Sequence, residues 1–425
     1  MKRIILLCTF VVMTANVCAQ KANVKKLKTK IEYASTPVNL DFGNLEVDKV
    51  QELRDLIEPA LTHPESEAMP ELWKYATRMK LHDMNEMLKE RAANNNEFKD
   101  LAAFFTNQAD IVSYAEKYIQ LLNTPDAKGK YSMKEEEREK ERVMWQQYTS
   151  NPRNNLFIGA SNLVYSNPDV TVKLLEAYYN SFDNPIYADL NLKETDPYYK
   201  EGTYIQATAL KAIGGNMDKV VELWKQSFDS KNGPLACQDL INYYKEKGDT
   251  ENEAKTYEMA YEKYPEQLVF GVNIAQNKVL ERKYDEAIKI CDDVIARMKD
   301  GTVQSTDDNG NTIEAAKYPY YFRAIALYNQ EKYEEAYNAF EEAVEYKSDY
   351  YDCIIGAGNT AARIASMNKD KKAVADKWYG NAIKYYEMAR ETDPGKSDDW
   401  GYPLYASYYN SGNMQKANAL KKYAK

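Results

Sequence analysis

The sequence predicts an all-α fold of stacked helix pairs, and three observations carry that reading. Glycine and proline number only 17 and 14 in 425 residues, too few for the many turns of an all-β chain. Apolar residues recur at helical spacing over long stretches instead of alternating. Tyrosine occurs 36 times, often in doublets such as Tyr320-Tyr321, Tyr385-Tyr386 and Tyr408-Tyr409. Mixed with helical alanines, such rings fill wedges beside small residues.

Taken in chain order, MKRIILLCTFVVMTANVCAQ has the anatomy of a secretory signal. Lys2 and Arg3 precede an apolar run from Ile4 to Met13, and Val17-Cys18-Ala19 suits cleavage after Ala19. The run is too short for a permanent span. Ala15 and Val17 stand where a lipobox has Leu and a small residue, so a lipoprotein anchored through Cys18 is the lesser alternative to a periplasmic chain of Gram-negative type. Residues 20–44 read as an extended polar leader.

Residues 45–197 read as degenerate helical repeats. Helices are expected over 47–61 with Pro64 after it, from Pro70-Glu71, and over 97–125. A helix hairpin follows over 155–179, turning at Asn167-Pro168, and the charge run MKEEEREKER (133–142) reads as a solvated helix face.

From 198 to the C-terminus a period emerges. YPYYFRAIALYNQEKYEEAYNAFEEAVEYKSD (318–349) is one helix-turn-helix: Ala324 lets the first helix approach its neighbour, and Tyr333, Ala336, Phe340 and Ala343 form the apolar face of the second. Related stretches occupy 216–228, 240–267, 274–295, 378–394 and 404–424. The second-helix position runs Val220, Glu253, Ala287, Ala336, Ala382, Ala417, in steps of 33, 34, 49, 46 and 35. The pattern resembles the tetratricopeptide repeat (TPR), with Arg323 departing from the usual Leu. The resemblance implies a right-handed superhelical solenoid.

TVQSTDDNGNTIEA (302–315) places Asn309-Gly310 between β-prone runs, which predicts a surface β-hairpin over 302–314, removable at little cost. An EF-hand would need Asp at Ser305 and Glu at Ala316, so the Asp/Asn cluster is not read as a calcium site.

YYDCIIGAGNTAARIA (350–365) imitates a dinucleotide-binding turn, with Gly356-x-Gly358-x-x-Ala361 and Asp376 further on. The repeat register assigns Gly358 instead to the small-residue position of a first helix, where Ala is expected to be tolerated. No nicotinamide or other cofactor is expected.

Other functions are excluded in turn. The chain is acidic, net −9, without a basic stripe, which argues against nucleic acid. His63 and His82 lie apart, with no zinc-binding spacing. Cys237, Cys291 and Cys353 read as small buried hydrophobes. No nucleophile, phosphate or metal motif stands out, so catalysis is not expected.

The TPR resemblance implies a protein or peptide partner on the concave face lined by first helices. Its candidate residues are Tyr321, Ile325 and Tyr328, then Tyr402 and Tyr409, then Gln238 and Asn242. The Lys of a carboxylate clamp is missing there. A glycan stacked on the tyrosines is the alternative ligand.

Overall fold

The computed structural model describes residues 47–305 and 313–424, together with Lys26. The signal reading of 1–19 and the leader of 20–44 lie outside the described residues. All regular structure among the described residues is helical. The chain forms two compact units, divided in sequence between Ala236 and Cys237.

The first unit holds α1 (Val47–Leu61), the short α2 (Pro64–Glu67), α3 (Pro70–Ala93), α4 (Leu101–Leu122), α5 (Glu135–Leu163), α6 (Pro168–Asn180), the short α7 (Leu192–Thr195), α8 (Gly202–Ala212) and α9 (Met217–Gln226). Pro64 starts a helical turn as well as following a helix end, since its missing N–H costs nothing at a first helical position. Asp100 caps α4 by accepting from the Ala103 N–H at 2.9 Å. α5 and α6 turn at Asn167-Pro168, as the sequence indicates. Leu53, Ile57, Leu72 and Met79 join α1 to α3, while Phe105, Leu156, Ala160 and Leu174 join α4, α5 and α6. Trp145 is fully buried beside Tyr118, Ile119 and Tyr187.

The second unit takes up α10 (Gly233–Lys247), which spans the division, and continues with α11 (Thr250–Lys263), α12 (Leu268–Leu280), α13 (Tyr284–Asp300), α14 (Tyr318–Asn329), α15 (Tyr333–Tyr346), α16 (Tyr351–Met367), α17 (Lys372–Thr392), α18 (Ser397–Asn410) and α19 (Met414–Ala419). One cluster from Val294 to Ala417 forms a shared core for successive pairs. Arg323, the departure from the repeat pattern, reaches Asp292 on α13 at 3.2 Å and Glu342 on α15, so an ion-pair bridge replaces an apolar contact. Glu341 on α15 accepts from the Tyr337 hydroxyl at 2.8 Å and from the Tyr385 hydroxyl of α17 at 2.7 Å.

A second repeating position lies in the turns. Gly248, Arg282, Glu331 and Gly412, each five residues before the second-helix position, all have positive φ, at 69°, 62°, 62° and 82°. There the chain closes a helix by the six-to-one bond of a Schellman turn, such as Lys283 N–H to Lys278 C=O at 2.8 Å and Lys332 N–H to Leu327 C=O at 3.1 Å. A side chain in that conformation costs roughly 1–2 kcal/mol, against the roughly 0.5–1 kcal/mol that glycine loses in chain entropy. Glu331→Gly, at an exposed turn, is therefore expected to stabilise the protein by about 0.5–1 kcal/mol, measured as a higher urea midpoint.

Two expectations need correction. Gly358 lies within α16, and a Cβ there would meet the buried Tyr386 ring at 2.8 Å, so Ala does not fit freely. The predicted hairpin is not supported either: the described flanks 302–305 and 313 form no strand, and 306–312, which include Asn309-Gly310, lie outside the described residues. Val303 is buried in the core and Ile313 packs on it, so removing 302–314 would cost core contacts. The Ile313 N–H already bonds the Ser305 carbonyl at 2.8 Å, closing the base of the insertion.

Candidate functional site

The register of the second unit sets which side chains share a face. Twelve residues before Ala336 stands Ala324, and fully buried Ala287, Ala336 and Ala382 mark successive second helices, with Glu253 half-exposed at the same position. Gly358 lies against Tyr386, four residues after Ala382, which is the small-residue-against-aromatic contact of the repeat. These helix pairs carry the small-residue and aromatic positions that the tetratricopeptide resemblance implies.

No family model matches the chain, and no curated protein does. Among solved structures, yeast Tom70 is 14% identical with a TM-score of 0.33, covering 93% of this chain and 73% of its own. The Cut9–Hcn1 assembly of the APC/C is 12% identical with a TM-score of 0.32, and this chain, matched over 84% of its length, spans 59% of the matched chain there. The TPR domain of P58(IPK) is 13% identical with a TM-score of 0.27, covering 92% and 99%.

The TPR register places Tyr321, Ile325 and Tyr328 on one face of α14. All three are half-buried and pack on the core. Tyr321 leans on Tyr350, ring centroids 5.6 Å apart, and burial, with Asp352 nearby, pushes its phenol pKa up. Tyr328 meets the edge of Tyr333 at 5.3 Å. Their role is thus partly structural. Tyr402 and Tyr409 differ, being 56% and 52% exposed. Tyr405 sits between them, its ring 6.4 Å from Tyr402 and 6.1 Å from Tyr409, so α18 presents three aromatic rings along one face. On α10, Gln238 donates to Asn242 at 3.2 Å.

Sequence reasoning overlooked Tyr405 and two amides, Gln276 and Asn359, that share the register of the predicted Asn242. Asn242 stands eleven residues before Glu253, Gln276 eleven before Ala287, and Asn359 is four beyond Ile355, the counterpart of Tyr321. All three are exposed, and the Asn359 carbonyl accepts from the Tyr386 hydroxyl at 2.8 Å. Applying the offset of Asn242 to the other first helices would have found the two amides, though not Tyr405, and gives Ile325 in α14. Arg363 adds a cation 5.7 Å from the Tyr333 ring.

The remaining candidates for chemistry resolve as packing. Cys237, Cys291 and Cys353 are buried free thiols; burial pushes Cys237 up to about 11 and Cys291 up to about 12. Such thiols are little ionised at neutral pH and poor nucleophiles. Asp376 is paired with Lys372 on α17, at 2.7 Å. Among the described residues no His/Cys/Asp/Glu group could hold a metal ion, and no helix is long and apolar enough to cross a membrane.

Proposed function

We propose that this chain is a non-catalytic, exported TPR scaffold of the cell envelope that binds an extended segment of a protein through the first-helix face of its second unit. The shared register of exposed amides and tyrosines supports the reading most. An amide side chain offers a donor and an acceptor, matching the alternating groups of a peptide main chain, as Asn242, Gln276 and Asn359 could in α10, α12 and α16, the intervening α14 having Ile325 at that position. The exposed Tyr402 and Tyr409, with the half-buried Tyr405 between them, supply rigid apolar faces with polar tips, the residue type that dominates interface energies. Export rests on the signal anatomy of residues 1–19 alone.

Tyr402→Ala with Tyr409→Ala is the direct test, since both rings are exposed and their loss should leave helicity and melting temperature unchanged. Capture of a protein partner by crosslinking in intact envelopes should weaken at least tenfold, about 1.4 kcal/mol. Unchanged capture, or saturable binding on a glycan array lost in the same variant, would favour the stacked-sugar alternative instead.

A further inference from the structure

The first unit contains a polar cleft that neither the repeat nor the proposed function uses. Ser113, Glu116, Lys117 and Gln120, on one face of α4, form one wall, and Asn180, Asp183, Asn184 and Pro185 form the other, around an open volume of about 390 Å³. At its base the Glu116 side chain is only 6% exposed, and its Oε1 has no hydrogen-bond partner.

The surrounding ion pairs are formed without Glu116, although Nη2 of Arg153 is itself a buried donor with no partner. Arg153 pairs with Asp196 at 2.8 Å, with both side chains buried, and donates its Nε–H to Ser181. Asp183 pairs with Lys193 at 2.6 Å, and Lys117 lies 3.9 Å from Glu67. The Tyr187 phenol, close enough to feel Glu116, donates to Thr149 Oγ1 at 2.8 Å. Glu116 is therefore the acid left over in the cluster. Burial pushes its pKa up to about 8, against the opposing pull of Arg153, so at neutral pH a proton occupies the place of a counter-cation.

We propose that this cleft binds a small organic primary ammonium, whose charge pairs with the Glu116 carboxylate while the amides and hydroxyl of the rim bond its polar remainder. A buried unpaired acid favours a cation strongly, and the neighbouring acceptors Ser113, Gln120, Asn180 and Asn184 suit an N–H-rich head. The cation displaces a proton, so complex formation below pH 8 releases about one proton, and apparent affinity falls about tenfold per pH unit as the medium is acidified.

The probe is 1,4-diaminobutane, titrated calorimetrically into the full chain in buffers without amines, with 1,4-butanediol as the neutral equivalent. The proposal expects saturable diamine binding, tighter at pH 8 than at pH 6, proton release that changes the heat with buffer, and at least tenfold weaker diol binding. Glu116→Gln keeps the shape and should abolish both the affinity and its pH dependence. Equal binding of the diol, equal binding by Glu116→Gln, or no saturable binding of the diamine would overturn it. The proton release and the diol comparison need only the wild-type chain, so they decide the matter even if the variant folds poorly.

Discussion

Asp196→Ala is expected to destabilise the first unit by about 3–5 kcal/mol, the usual cost of stranding one member of a buried ion pair. Arg153 is 3% exposed and sits over the rings of Tyr178, Phe182 and Tyr187. Its Nη1 donates to Asp196, and the Tyr178 hydroxyl donates to the other oxygen of the same carboxylate at 2.7 Å. The substitution thus leaves both a guanidinium and a phenol short of an acceptor. Urea unfolding followed by circular dichroism measures the loss. Asp196→Asn keeps one acceptor and should cost less. A loss under about 1 kcal/mol in Asp196→Ala would mean that water or Glu116 takes over the pairing.

The second large effect lies in α16. Gly356 faces the Phe340 ring of α15 and Gly358 faces the Tyr386 ring of α17, so the two glycines let one helix approach neighbours on both sides. Both rings are almost wholly buried and have nowhere to move. Overpacking costs about 1–3 kcal/mol, while Ala gains about 1 kcal/mol over Gly in helix propensity. Gly356→Ala and Gly358→Ala should each therefore lower stability by up to about 2 kcal/mol net. Gly380→Ala on α17 is the control: nothing lies within 4 Å of a Cβ there, so the propensity gain should appear alone, as stabilisation of about 1 kcal/mol. Stabilisation by all three substitutions would show that the α16 contacts relax.

How far the sequence revealed the fold follows from what periodicity can carry. Columns such as Ala287, Ala336, Ala382 and Ala417 were legible because a position that must be small recurs in these second helices, with the same neighbours even where insertions lengthen the step, and all four are buried. The fit at Gly358 was not legible: a column records that a residue is small, not how closely the Tyr386 ring presses on it. Tyr321 and Tyr328 were placed on the correct helix, but their half-burial depends on Tyr350 and Tyr333, contacts that spacing does not rank. The Glu116 cleft left no trace in the sequence. It joins a face of α4 to the segment after α6, some sixty residues on, and an acid on a helix reads as solvated until packing closes over it.

The carboxylate of Glu341 serves phenols from two hairpins at once, Tyr337 of its own helix and Tyr385 of the next pair. If the α15 hairpin frayed, the Tyr385 hydroxyl would lose its acceptor, and if α17 frayed, the Glu341 carboxylate would lose a donor, so local melting of one is penalised in its neighbour. Repeat arrays unfold gradually when their interfaces are weak and all together when those interfaces are strong. A shared acceptor of this kind ties adjacent hairpins into one folding block, spanning α15 to α17, whose helices should gain and lose protection against hydrogen exchange in concert.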